Sequence, residues 1–200
     1  MLPTLTTSRL CLRPFTLADA PALQRLANDP RIGDTTATLP HPYGLHHAES
    51  WIAIHEDLYA SGRAMPLAIT REGELLGTMG FATLSWTHQR AALAYWIGTA
   101  HWGRGYATEA AAALVAYGFA DLKLQRIWAE CFKRNLASAR VLEKLGMRYE
   151  GCLRGEFKKH GVFEDMLRYG LLADEWNRAQ VSTDRPRPGC ETGSAAHRDL

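Results

Sequence analysis

The stretch His101–Ala120, HWGRGYATEAAAALVAYGFA, sets two glycines one residue apart directly ahead of a long alanine-rich run. The run predicts a helix over Tyr106–Ala120, because alanine, leucine and glutamate are strong helix formers. Gly103 and Gly105 let the backbone turn tightly in front of it and aim several N–H groups at one point, beside the positive end of the helix macrodipole. In physical terms this is a phosphate cradle, although a plain strand-to-helix turn uses glycine as well. Two familiar phosphate motifs do not fit. No G-x-x-x-x-G-K-[ST] occurs in the chain, which argues against a P-loop NTPase. The dinucleotide fingerprint needs a third glycine where Thr108 stands, and the connection from Ile97 is longer than its tight turn. Glu130, at the end of the next strand, is the one acid that could mimic a ribose-binding carboxylate.

Outward from this stretch, the chain opens with RLCLRPF as a strand and TLADAPALQRLAND as an amphipathic helix capped by Thr16. A second helix over YGLHHAESWIAIHEDLYASG carries Trp51, Ile54 and Leu58 on one face and stops at Gly62. MPLAIT, the turn REGE and LLGTMGFATLS form a hairpin. QRAALAYWIG adds a further strand, with Ala94 and Trp96 on one face and Leu93, Tyr95 and Ile97 on the other. After the glycine stretch come a strand (QRIWAECF), a helix (NLASARVLEKLG) and a closing strand pair (MRYEGCLRGEF, GVFEDMLRYGLL). The order β α α β β β α β α β β implies an α+β fold, with one parallel pairing where a helix crosses between central strands. Residues 1–180 read as one domain. The segment 181–200, rich in Pro, Gly and small polar residues from Asp184 onward, reads as a disordered tail.

Composition narrows the function classes. The 200 residues are 46% hydrophobic and 22% charged, ordinary globular usage with no apolar run long enough for a membrane span. The N-terminus lacks signal-peptide organisation, so a cytoplasmic protein is expected. A net charge of +2 is too small to argue for nucleic acid. Cys11, Cys131, Cys152 and Cys190 form no C-x-x-C pair, so neither zinc nor a disulfide framework is indicated. His46 and His47, adjacent on a helix, should point apart, which argues against a shared metal.

The string from Trp102 to Ala110, WGRGYATEA, resembles the pyrophosphate loop of the GNAT superfamily of acetyl-CoA-dependent N-acetyltransferases. Within it, the string is similar to the branch that acetylates ribosomal-protein N-termini. Trp102 departs from the usual Gln or Arg of the [Q/R]-x-x-G-x-[G/A] pattern. The likeness extends from Leu5 to Trp176 through TSRLCLRPF, AYWIG, NLASARVLEKLGMRYEG and FEDMLRYGLLADEW, in that order.

The resemblance implies a mixed, mostly antiparallel sheet of about seven strands, splayed between two central strands, with helices on both faces. It implies acetyl-CoA as co-substrate and no metal. It assigns the coenzyme to the backbone of Gly103, Arg104, Gly105, Tyr106, Ala107 and Thr108 with Trp102 beside them. Arg104 adds charge, and backbone groups near Trp96, Ile97 and Gly98 hold the pantetheine arm. Asn135, a natural helix N-cap by itself, would also contact the coenzyme, and Ser138 would lie near its sulfur. Many members carry a tyrosine seven residues after that Asn as proton donor; here Leu142 stands there, leaving Ser138, or a water it holds, as the group facing the thiolate. Glu156 matches a proposed general base, and a carboxylate acting through water suits an α-amine of pKa about 7.7 to 8.0.

Asp165 is the other nearby acid, and His160 reads as a surface loop residue. Trp51, Tyr95 and Trp86 are candidate walls of an acceptor pocket, though aromatics at such spacings usually build cores. The expected reaction is direct attack by a primary amine, preferably a protein N-terminus. A small amine, or coenzyme binding without catalysis, are the other readings. The sequence allows a homodimer and shows no interface for one.

Overall fold

The computed structural model of the chain describes residues 2–183. Of the tail expected over 181–200, residues 181–183 instead close a helix, and the remainder, with Cys190, lies outside the described residues. Eight strands form one sheet: β1 (Leu5–Thr6), β2 (Cys11–Arg13), β3 (Met65–Arg71), β4 (Glu74–Ser85), β5 (Arg90–Ile97), β6 (Arg126–Phe132), β7 (Arg148–Lys159) and β8 (Val162–Leu172). Their spatial order is β1-β2-β3-β4-β5-β6-β8-β7. Every neighbouring pair is antiparallel except β5–β6, which is parallel. The fold is thus α+β with a mixed, mostly antiparallel sheet. It has eight strands where about seven were expected; the first, only two residues long, pairs Leu5 and Thr6 with Leu12 and Cys11.

The α-helices among the described residues are α1 (Ala20–Ala27), α2 (Pro30–Thr35), α3 (Leu45–Ala53), α4 (His55–Ala60), α5 (Tyr106–Ala120), α6 (Leu136–Lys144) and α7 (Ala173–Thr183). Strand alternation sends successive side chains to opposite faces, and the central strands are covered on both. Leu67, Ile69, Leu76, Leu93 and Ile97 face a core shared with Leu114 and Val115 of α5 and Leu142 of α6. Ala68 and Leu75 face a second core with Leu23 of α1, Ala48 and Ile52 of α3, and Phe15, against which Trp96 packs. The predicted split of β5 into two faces is therefore a split between two cores.

Three local readings differ from the structure. The single helix expected up to Gly62 bends at Ile54, because α3 packs on α1 whereas α4 packs on β3. The bend turns Ile54 outward, 48% exposed, and brings Ile52 and His55 inward in its place. The second difference is α2, unforeseen although Asp29 caps it by accepting from the Arg31 N–H at 2.9 Å and Pro30 follows as its first residue, a recognisable start signal. Finally, His46 and His47 do not point apart. Their ring centroids lie 3.9 Å from each other, since the His47 Nδ1 folds back to accept from the Gly44 N–H at 3.0 Å at the start of α3. Among the described residues no group of three His, Cys, Asp or Glu side chains is arranged to hold a metal ion, and no helix is long and apolar enough to cross a membrane.

Candidate active site

The glycine loop lies exposed between β5 and α5. Gly103 and Gly105 have φ of +74° and +80°, values that a Cβ makes costly. Gly105 is the N-cap of α5 and supplies no side-chain hydrogen bond to it. The first N–H groups of a helix have no partner inside it, so those of Tyr106, Ala107 and Thr108 point outward at the positive end of a 15-residue dipole. This arrangement fits a pyrophosphate.

A brace from the β1–β2 connection fixes the first turn of α5 and reaches the loop, where Arg9 Nη1 donates to Arg104 O at 3.2 Å. The Glu109 carboxylate accepts from Thr7 Oγ1 at 2.6 Å, the Arg9 backbone N–H at 3.0 Å and Arg9 Nε at 2.7 Å. Burial raises the Glu109 carboxyl, but these hydrogen bonds outweigh it and hold the group below its ordinary value. Arg71 Nη1 donates to the Tyr106 hydroxyl at 2.6 Å. An acid that would otherwise repel phosphate is thereby paired with Arg9 and turned toward the β1–β2 hairpin.

Behind the loop the sheet opens. The parallel pairing of β5 with β6 covers only Arg90–Ala92 against Arg126–Trp128. Beyond it, β5 continues along β4 as far as Ile97 and β6 along β8 as far as Phe132, which leaves a wedge-shaped gap between the two strands. The Gly98 N–H donates to Leu76 O at 2.8 Å. Antiparallel alternation then turns the backbone groups of Ala94, Trp96 and Gly98 back toward β4, and those of Leu93, Tyr95 and Ile97 into the gap. Of the three positions named for the pantetheine arm, Ile97 alone faces the gap, and its carbonyl accepts from Trp102 Nε1 at 2.6 Å.

On the far wall, Asn135 caps α6, its Oδ1 accepting from the Ser138 N–H at 3.1 Å. Ser138 Oγ lies 2.8 Å from the Tyr95 hydroxyl, which also stands 3.3 Å from the Ser138 carbonyl. Burial pushes the Tyr95 phenol well above its ordinary value. Burial also raises the neighbouring Cys131 thiol to about 11 despite a hydrogen bond with Ser138. Tyr95 and Ser138 thus meet across the gap. Trp51 belongs to the other core, its ring centroid 5.3 Å from Phe15 and 4.2 Å from His55, and does not join Tyr95. Trp86 is bonded to Gly62 O through its indole N–H.

The β7–β8 hairpin lies on the other side of β6 from the gap. Between the pairs Leu153–Met166 and Phe157–Glu164, three residues of β7 (Arg154, Gly155, Glu156) stand opposite Asp165 alone, a bulge that bends the strand. Asp165 secures it: one carboxylate oxygen accepts from the Gly155 N–H at 3.0 Å and the other from Lys133 Nζ at 3.0 Å. These two bonds, the Gly155 one first, hold its carboxyl below the usual range. Glu156 lies exposed in the bulge, and His160 is exposed in the hairpin turn.

Sequence reading missed the residues that join this hairpin to α2. Arg134 Nη1 donates to Asp34 at 2.7 Å and its Nε to Glu164 at 2.9 Å, while Lys159 Nζ donates to Thr36 O at 2.8 Å. Beside them an open hollow of about 410 Å³ is lined by Pro30, Arg31, Asp34, Thr35 and Trp102.

Residues 9–148 match the acetyltransferase (GNAT) domain family. The chain is 36% identical over 180 residues to the uncharacterized N-acetyltransferase YoaA of Bacillus subtilis, covering 86% of this chain and 98% of that one. It is 34% identical over 175 residues to the uncharacterized N-acetyltransferase p20 of Bacillus licheniformis, with the same coverage. The solved structure of a probable acetyltransferase superposes with a TM-score of 0.81 at 26% identity, over 87% of this chain and 99% of the other. RimL, a ribosomal alpha-N-protein acetyltransferase solved in complex with coenzyme A, shares the fold with a TM-score of 0.81 at 20% identity, over 86% and 99%. A sheet that parts between β5 and β6 beside a glycine-started helix, with these matches over most of its length, makes this chain a member of the GNAT family of acetyl-CoA-dependent N-acetyltransferases.

Proposed function

We propose that the acceptor is the N-terminal α-amine of a protein in the cytoplasm, acetylated by direct attack while acetyl-CoA and acceptor are bound together. The observation that carries this reading is the open hollow of about 410 Å³ beside the glycine loop, lined by Pro30, Arg31, Asp34, Thr35 and Trp102, which leaves room for an extended chain. The coenzyme's pyrophosphate lies on the N–H groups of Gly103–Thr108, and its arm follows the inward-facing backbone of β5. Ile97 O becomes available when the Trp102 indole turns away. RimL, named for action on a ribosomal protein's α-amine, supports the same class of acceptor.

An α-amine of pKa about 7.7 to 8.0 is partly neutral at pH 7, so a carboxylate acting through one water suffices to remove its proton. Glu156, exposed on the bulge, serves as that base. The amine nitrogen attacks the thioester carbon, the carbon–sulfur bond breaks, and its electron pair leaves on sulfur beside Ser138. The test is release of free thiol from acetyl-CoA with peptides starting in Ala or Ser, amino acids, polyamines and aminoglycosides, followed by mass spectrometry. Acetyl on a peptide α-amine is expected; turnover confined to a small amine would overturn the proposal.

A further inference from the structure

The family's usual tyrosine position holds Leu142, fully buried in the core, so α6 offers no phenol to the leaving sulfur. A phenol reaches the same place from another element. Tyr95, on β5, crosses the gap to Ser138 in the first turn of α6, 43 residues away in sequence.

We infer that Tyr95 is a positioning residue for thiolate departure: its hydroxyl donates to Ser138 Oγ and so turns the Ser138 O–H toward the sulfur. The inference rests on the acetyltransferase reading of the gap. Two acceptors lie within reach of the Tyr95 hydroxyl. The Ser138 carbonyl, at 3.3 Å, is the farther and receives the helical bond of α6 from the Leu142 N–H. Ser138 Oγ, at 2.8 Å, is nearer. When its lone pair accepts from Tyr95, its own hydrogen is free to point elsewhere, and hydrogen bonds in such a chain strengthen one another.

The phenol stays protonated across the working range because burial raises it. Cys131 on β6, also hydrogen-bonded to Ser138, stays a neutral thiol for the same reason. Glu143, the acid of α6 nearest this group, accepts from the Tyr169 hydroxyl at 3.3 Å. The pair is therefore a neutral donor chain. Proton balance is kept without ionising it: the proton lost by the attacking amine leaves through Glu156 and water, and the thiolate takes one from solvent as it departs.

Coenzyme A itself is the probe, which makes the test independent of the acceptor. Wild type, Tyr95→Phe, Ser138→Ala and the double variant are titrated with CoA by calorimetry. The ultraviolet absorbance of the bound thiolate is then followed against pH. In wild type the bound thiol should ionise at lower pH than free CoA. Tyr95→Phe should raise that ionisation by about one unit, with CoA affinity changed less than about twofold at pH 7 and the fold intact by circular dichroism. The double variant should titrate like Ser138→Ala alone. Identical titrations of wild type and Tyr95→Phe, or additive effects in the double variant, would overturn the inference while leaving the enzyme reading in place. Failure of wild type to bind CoA would overturn both.

Discussion

Acid should destabilise this protein through one histidine. His55 is 3% exposed, and neither ring nitrogen has a hydrogen-bond partner. It is used as an apolar ring, edge-on to Trp51 at 4.2 Å and Phe15 at 5.4 Å. Burial without a partner disfavours the imidazolium and lowers its pKa from 6.5 to about 4. Because the folded value lies below the unfolded one, the unfolded chain binds the proton first. The neutral ring's contribution is complete above about pH 6.5 and is lost progressively as the pH falls toward 4. A difference of about 2.5 units corresponds to about 3 kcal/mol, a large share of the 5 to 15 kcal/mol typical of a domain. Urea unfolding between pH 7.5 and 4 measures it. Wild type should lose about 3 kcal/mol more than His55→Leu, which keeps an apolar side chain there and cannot titrate. Parallel stability curves for the two proteins would refute the reasoning and would mean that His55 is solvated or partnered in solution.

Three further outcomes test the site. Gly105→Val places a β-branched residue at φ +80°, although its Cβ would meet only Arg9 Nη2 at 3.6 Å. The protein should fold with about 1 to 2 kcal/mol less stability but bind acetyl-CoA at least tenfold more weakly by calorimetry, and unchanged affinity would show that the phosphates lie elsewhere. Glu156→Gln should leave acetyl-CoA affinity intact and lower kcat by about 10²-fold or more, whereas unchanged turnover would remove Glu156 from the mechanism. Asp165→Ala frees the Gly155 N–H and Lys133 together and should lower kcat about tenfold through the loosened bulge. Restoration of activity in Asp165→Asn, which keeps an acceptor for Gly155, would separate the bulge bond from the Lys133 charge.

What could be read in the sequence was local. The helix start at Tyr106, the hairpin across REGE and the two-faced pattern of β5 each depend on residues within a few positions of one another, where spacing and backbone preference act directly. The bend at Ile54 was hidden because Trp51, Ile54 and Leu58 keep a sound helical period; only the presence of two different neighbours, α1 and β3, shows why one helix cannot serve both. Helix α2 did leave a signal, Asp29 followed by Pro30, inside a stretch otherwise rich in turn residues. The Tyr95–Ser138 contact left none. Each residue has an ordinary local role, one in a strand and one in a helix's first turn, and only the parting of β5 from β6 lets the phenol span the space between them. Trp102 shows the same limit: its departure from the usual residue was visible in the sequence, its bond to Ile97 was not.

The ties from α2 to Arg134 and Lys159 also say when the site comes into being. Asp34 and Arg134 are 100 residues apart, and Thr36 and Lys159 are 123 apart; Thr7 reaches Glu109 across 102. Contacts of such long range form late, after the costly loops between them have closed. During synthesis, which proceeds from the N-terminus, α2 waits for Arg134 and then for Lys159 before its ties are complete. The flank proposed for the acceptor is therefore among the last parts to assemble, and a nascent chain halted before β7 would carry the glycine loop without the hairpin that ties down α2.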